Sequence, residues 1–234
     1  MAYIHFDAVT IDYPILNAGS MSLRKELVAI STGGKFLREP GAKVTVRALD
    51  SISFHIADGE RVGITGHNGS GKTTLLRTMA GIFYPNVGTV TVEGRISTLF
   101  QLGAGMDPEL TGYDNIIRMA ILNGASFAEA ERAIPDIESF TELGQFLSVP
   151  VRTYSAGMMT RLLFAVSTAI HPQILLIDEI IGAGDTSFQE RARKRITAFM
   201  EQASIVVIAS HSADLLSSFC RRRLRLEHGK LLEE

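Results

Sequence analysis

The chain has 234 residues, 46% of them hydrophobic, with 23 Lys and Arg against 25 Asp and Glu, a formal net charge of −2 and one cysteine. A chain of this size buries a full core without disulfides, and one thiol with six dispersed histidines is expected to build neither a disulfide framework nor a metal site. A pI near 6.3 lacks the basic footprint of a nucleic-acid-binding domain, and the longest apolar runs, Ile174–Ile177 and Ile205–Ala209, fall far short of the roughly 20 residues that span a membrane. The start, Met1 to Asp7, has neither the basic nor the apolar region of a secretion signal, so a cytoplasmic protein is expected. Cys220 then reads as a small buried hydrophobe in a reducing compartment.

Tyr3 to Tyr13 alternates apolar and polar residues as a half-buried strand does, and Val44 to Ile56 resumes the pattern. Between them residues 16–43 form an insertion in which Gly19, Gly33, Gly34, Pro40 and Gly41 surround a short amphipathic helix, Ser22 to Ile30. That helix reads either as a cover for a sheet edge or as a surface that binds a partner or a membrane. Arg61 to Thr65 is a short apolar strand. It runs into Gly66-His67-Asn68-Gly69-Ser70-Gly71-Lys72-Thr73-Thr74, a phosphate-binding loop of the form G-x-x-x-x-G-K-[ST], after which Leu75, Leu76, Met79 and Ile82 recur at helical spacing. The glycines let successive N–H groups point inward, Lys72 reaches the β- and γ-phosphates, and the Thr73 hydroxyl suits Mg²⁺. A nucleoside triphosphate is the expected ligand.

After Tyr84-Pro85-Asn86, the segments Gly88 to Val92 and Glu93 to Arg95 read as strands joined by tight turns. Asp114 to Leu122 and Phe127 to Leu147 carry helical periodicity, so a helical lobe is expected over about residues 102–170. The last third predicts a helix from about Gly157 to Ile170, a buried strand Ile174 to Ile177, a helix Ser187 to Glu201, a second buried strand Ile205 to Ala209 and a hairpin around Gly229. Strands alternating with helices imply an α/β fold with a mainly parallel sheet covered on both faces. Arg221, Arg222, Arg223 and Arg225 read as a solvated strand edge, with a phospholipid-facing patch as the alternative.

The strand Ile174 to Ile177 ends in Asp178 and Glu179, at the carboxyl end where open α/β sheets place their sites. Asp178 suits Mg²⁺, directly or through its water shell, and Glu179 is positioned in sequence to take a proton from an attacking water. A pair of acids satisfying a helix N-terminus is the competing explanation; beside a phosphate loop the catalytic one is preferred. Ser155, in Tyr154-Ser155-Ala156-Gly157-Met158, is by itself an ordinary helix N-cap.

Its place, 23 residues before Asp178, is that of the Leu-Ser-Gly-Gly-Gln signature in the ATP-binding cassette (ABC) family, which the chain resembles over nearly its whole length. The resemblance implies a single ABC-type nucleotide-binding domain over residues 1–234, with an antiparallel β subdomain beside the parallel core and the inserted helical lobe. It implies an ATPase that uses ATP and Mg²⁺. Gln101 corresponds to the glutamine that approaches the metal and the attacking water, Asp185 to the dimer-contacting aspartate, His211 to the histidine on the γ-phosphate, and Tyr13 to the aromatic that stacks on adenine. Ser155 and Gly157 keep the hydroxyl and the close backbone approach of the signature, although Ala156 and Met158 depart from it. Two such cassettes pair head to tail, each triphosphate lying between the phosphate loop of one chain and the signature of the other.

Leu102 to Met106, Pro108 to Gly112, Tyr154 to Met158, and Gly184-Asp185 followed by Ser187-Phe188-Gln189 are similar to the branch that exports bacterial surface polysaccharides: O-antigen, capsule and teichoic acid. That branch implies a homodimer of cassettes, a separate integral membrane permease, a lipid-linked glycan as cargo, no nucleic acid, and a peripheral position on the cytoplasmic face of the inner membrane. Ser22 to Ile30 is expected to help receive the glycan. No carbohydrate-binding domain is expected after the cassette. The alternatives are a cassette energising another cargo (a drug, lipid or nutrient) and a soluble mechanical ATPase.

Overall fold

The computed structural model describes residues 1–14, 36–37, 45–100, 102–178 and 186–233, with backbone alone at 36, 37, 186, 187 and 233. The expected helix Ser22 to Ile30 and the residues Gln101, Glu179 and Asp185 lie outside the described residues. The chain divides into two compact units, Met1–Glu93 with Val207–Glu234 and Gly94–Val206.

In the first unit, β1 (Tyr3–Pro14), β2 (Phe36–Leu37), β3 (Thr45–Ile56) and β5 (Val87–Glu93) form an antiparallel sheet in the order β2-β3-β1-β5. Its apolar alternation breaks phase in both long strands: Ile4 and Phe6 are followed by Val9 and Ile11, and Leu49 by Ile52, Phe54 and Ile56, all buried. A strict two-residue period would turn half of these to solvent. The register shifts between Phe6 and Val9 instead, with Ala8 at φ 48° and Ser51 at φ 53°, and this irregularity returns every apolar side chain to one face. Phe6 and Phe54, direct partners across the strands, stack at 4.6 Å, a contact that contributes about 1 kcal/mol beyond area burial.

The same unit holds β4 (Arg61–Thr65), β9 (Arg222–Glu227) and β10 (Lys230–Glu233), with β9 parallel to β4 and antiparallel to β10. The strand β8 (Ile205–Ala209), buried at all five positions, neighbours β4 in this sheet, and the division between the units falls within it. The helix α1 (Lys72–Met79) buries Leu75, Leu76 and Met79 as its spacing predicts, whereas Ile82 is 40% exposed. The helix has already ended there, with Gly81 at φ 70° turning the chain away. A seven-residue helix, Ala213–Phe219, was not legible from periodicity; Ser212 caps it through Leu215 N–H.

Two further expectations are corrected. Glu93 to Arg95 is not a separate strand: Glu93 ends β5, which pairs with β1, and the next strand, β6 (Ile96–Thr98), pairs in parallel with β7 (Ile174–Asp178); Gly94, at φ 127°, separates the two. The strand-edge reading of the arginines holds at Arg222 and Arg223, which pair with β4 and lie beyond the register of β10, and is corrected at Arg225, which β4 and β10 flank; Arg222 donates to His55 O at 2.7 Å and Glu60 at 3.3 Å. Cys220 is buried as expected, and that burial pushes its thiol up to about 11.

The second unit contains β6, β7 and four helices: α2 (Gly112–Leu122), α3 (Phe127–Thr141), α4 (Ala156–Ser167) and α5 (Thr186–Gln202). Ile116, Met119, Ile137, Leu143, Leu147, Val151 and Leu162 form the core of its helical part. The helical run expected to reach Leu147 stops at Thr141, where Glu142 (φ 56°) and Gly144 (φ 53°) adopt left-handed conformations, and a 3₁₀ turn, Gly144–Ser148, carries Leu147 back into the core.

Both α2 and α3 begin with reciprocal capping boxes, Thr111 with Asp114 and Ser126 with Glu129. The Ser126 backbone and hydroxyl and the Arg95 guanidinium hold the Glu129 carboxyl down at about 2, from an ordinary value of 4.5. A depressed folded-state pKa contributes stability above the unfolded value that is lost as pH falls through the folded one. The stability gap between wild type and Glu129→Gln, measured as the difference in urea midpoints, is therefore expected to be constant above about pH 5 and to shrink between 4.5 and 2.

Candidate functional site

The strand β4 delivers the phosphate loop from its carboxyl end, and three glycines shape the path of that loop. A Cβ on Gly66 (φ 144°) would lie 2.2 Å from Leu226 O and 2.6 Å from Ser70 Oγ, and one on Gly71 (φ 115°) would lie 2.7 Å from Ala48 O. A Cβ on Gly69 (φ 77°) would meet nothing within 4 Å, so glycine is favoured there by its backbone conformation and not by crowding. Ser70 N–H donates to His67 O at 3.0 Å, closing the loop on itself, and Leu75 N–H donates to Gly71 O at 2.8 Å, starting the helix.

No side chain caps α1 and its first turn contains no acid. The positive end of the helix dipole and its first N–H groups are thereby left for an external anion. Lys72, only 8% exposed, donates through Nζ to Gly66 O at 2.7 Å and His67 O at 3.2 Å, and the same Nζ lies 3.5 Å from His211 Nε2. An ammonium only donates, so Nε2 presents a lone pair there. The loop's lysine and the segment after β8 thus converge on one place, and Ser210 N–H, donating to Ile64 O at 3.3 Å, ties that segment to β4.

His67, Asn68, Gly69 and Thr73 are exposed, Gly66, Gly71 and Thr74 are half-buried, and Ser70 is buried with no partner for its hydroxyl. Tyr13 donates from its hydroxyl to Thr74 Oγ1 at 3.2 Å and meets Phe83 edge-on at 5.4 Å. It therefore stands beside α1, although the pairing of Tyr13 with Val46 rather than any loop sequence puts it there. The first unit thus assembles Tyr13, the phosphate loop, Lys72 and His211.

In the second unit, Asp178 ends β7 and is half-buried. Ser155 caps α4 by accepting from Met158 N–H at 3.3 Å, and a Cβ on Gly157 would meet only Ser155 Oγ, at 4.0 Å. The first turn of α4 has no acid either, and Ser155, Ala156 and Gly157 are exposed. A second helix N-terminus is therefore open to an anion, without a phosphate loop of its own.

Sequence reading missed the groups that hold the loop from outside. Gly229 N–H donates to Ser70 O at 2.9 Å, Asp50 N–H donates to Gly229 O at 2.8 Å, and a Cβ on Gly229 (φ 80°) would lie 2.8 Å from Ala48 O. The only sequence signal was a glycine between His228 and Lys230, which indicates a hairpin and not the partner of its turn.

A strand, a glycine cradle that a Cβ at Gly66 or Gly71 would fill, and a helix N-terminus with a buried lysine define a P-loop nucleotide-binding cassette. The family description "ABC transporter" matches residues 49–182, and the chain belongs to that family; it is an ATPase cassette. The O-antigen export system ATP-binding protein RfbE of Yersinia enterocolitica is 54% identical over 100% of this chain and 98% of its own length. RfbB of Klebsiella pneumoniae, with the same description, is 35% identical over 98% of this chain and 92% of its own. The teichoic acids export ATP-binding protein TagH of Bacillus anthracis is 37% identical over 98% of this chain but 40% of its own length. The fold is shared with the ATP-binding cassette MJ0796, solved as a dimer in a post-hydrolysis state bound to ADP and Pi, at a TM-score of 0.68 and 22% identity over 99% of this chain and 97% of the other.

Proposed function

We propose that this chain is the ATP-hydrolysing subunit that powers export of a lipid-linked surface polysaccharide through a separate membrane permease. The observation that carries the reading is the end-to-end match, 54% identical, to an O-antigen export ATP-binding protein. No helix among the described residues is long and apolar enough to cross a membrane; in this reading the permease is a separate partner, implied by the export-system names of the relatives, and the chain sits peripherally on the cytoplasmic face of the inner membrane. The cargo is the glycan, and nucleic acid has no part.

In this reading the N–H groups of the loop and of the first turn of α1 receive the β- and γ-phosphates of ATP, Lys72 places its charge between them, and Tyr13 faces the adenine. His211 donates to the γ-phosphate, and Glu179 accepts the proton of the attacking water. Thr73 and Asp178, with Gln101, offer the hydroxyl, carboxylate and amide oxygens that a hard cation prefers, so the donor set fits Mg²⁺. When bound, that ion neutralises charge on the phosphates. Ser155 and Gly157 present the N-terminus of α4 to the triphosphate of a second copy, and Asp185 meets that copy. ATP then closes the homodimer and hydrolysis opens it.

The test replaces the chain in its native host with the Glu179→Gln form. Surface glycan is expected to fall to background while lipid-linked polymer accumulates inside, and the purified variant is expected to bind ATP and remain a nucleotide-bound dimer. Normal surface glycan with a variant confirmed inactive rejects the cargo; hydrolysis at the wild-type rate rejects Glu179 as the base.

A further inference from the structure

Four of the six histidines form two ring pairs, His5 with His55 at 5.8 Å and His67 with His228 at 4.8 Å between ring centroids. The second pair joins the phosphate loop to the turn between β9 and β10. We propose that His67 and His228 together bind a divalent transition cation, with Zn²⁺ as its representative.

His67 Nδ1 lies 2.8 Å from Asn68 O. A carbonyl only accepts, so this contact puts the proton on Nδ1 and leaves the Nε2 lone pair available. A backbone carbonyl holding the other ring nitrogen is the arrangement that fixes the tautomer and orientation of ligating histidines. The facing ring is held from its own backbone: His228 has φ 49°, and the next residue, Gly229, is hydrogen-bonded to Ser70 O on the loop and to Asp50 N–H on β3. Both rings are solvent-exposed, so a hydrated ion reaches them without opening the fold.

Among the described residues no cluster of three or more His, Cys, Asp or Glu is arranged to hold a metal ion. The pair therefore supplies two ligands and water completes the shell, which makes the site open and exchanging rather than structural. Imidazole nitrogen selects zinc, nickel or copper over Mg²⁺, whose preferred ligands are oxygens. This site and the oxygen donors proposed for the catalytic metal thus sort two kinds of cation. The His5–His55 pair is wider, stands on the antiparallel sheet, and has Tyr3 against the His55 ring at 6.1 Å; no contact to a carbonyl fixes its tautomer among the described hydrogen bonds. It serves as the internal comparison.

The test is calorimetric titration of ZnCl₂ into the nucleotide-free chain in a non-coordinating buffer, for wild type, His228→Asn and His55→Asn. Asparagine tolerates the left-handed backbone at 228, and His228 is not among the residues proposed for ATP, so zinc-free ATPase activity should be unchanged. The expected result is a zinc equivalent that His228→Asn weakens by about tenfold or more and His55→Asn retains, with zinc raising the melting temperature of wild type and His55→Asn but not of His228→Asn. His67→Asn should reproduce the loss. Unchanged zinc binding in His228→Asn, or loss in His55→Asn alone, overturns the proposal.

Discussion

Lys72→Ala is expected to reduce kcat/KM for ATP by roughly 100- to 1,000-fold, the range seen when one preorganised donor to developing negative charge is removed. Lys72 Nζ is held at 2.7 Å from Gly66 O and 3.2 Å from His67 O, so its charge is positioned by the loop before any ligand arrives. Alanine removes that charge and the donor to Gly66 O, while His67 O keeps Ser70 N–H, a stability cost of about 1 kcal/mol. Fluorescent-nucleotide binding, phosphate release and a thermal melt on the same preparation separate the effects. A folded Lys72→Ala protein that binds and hydrolyses ATP at the wild-type rate would remove the lysine from the site.

Gly66→Ala should damage stability and binding together, whereas Gly69→Ala should damage neither severely. The methyl at 66 would stand 2.2 Å from Leu226 O and 2.6 Å from Ser70 Oγ, and the obstructing oxygen at Leu226 belongs to backbone. Overpacking and φ strain together cost about 3 kcal/mol, and for a chain of this size that lowers Tm by about 6–12 °C. A methyl at 69 would meet nothing within 4 Å, so alanine carries only the left-handed penalty of about 1 kcal/mol. Differential scanning calorimetry of the two variants checks the ordering. Equal shifts would mean that the carbonyl of Leu226 moves aside without cost.

Much of the architecture was legible because it repeats locally. Arg61–Thr65 and Ile205–Ala209 were delimited to the residue, and Ile174–Ile177 to within one, because short apolar runs between polar residues have little other way to be buried. The phosphate loop was legible for a different reason: the glycines satisfy a backbone requirement that no other residue meets, so the chemistry is written in residue type and spacing alone. The capping residues Ser126 and Thr111 carried a readable signal as well, an acid three positions on, in each case marking where a helix starts.

Where periodicity misled, a long-range partner was deciding. The run from Phe127 read as one helix to Leu147, but left-handed Glu142 and Gly144 break it so that Leu147 reaches the core. Glu93 to Arg95 read as a strand of its own, but β5 runs through Glu93 and β6 begins at Ile96, and their partners, β1 and β7, lie far away in sequence. Arg225 resembled an edge residue because polarity is local information, while the presence of β4 and β10 on either side of it is not.

The residues themselves determined that this chain binds a nucleoside triphosphate, and the order of its motifs identified the family. Both rest on constraints within a few positions of each other along the chain: a turn needing glycine, an anion needing N–H groups, a strand ending in acids. Tertiary structure alone decided that Tyr13 meets Thr74, that His211 stands 3.5 Å from Lys72, and that Gly229 braces Ser70. Those pairs are 61, 139 and 159 positions apart, and a contact across such a distance depends on sheet order and register, which no local pattern contains.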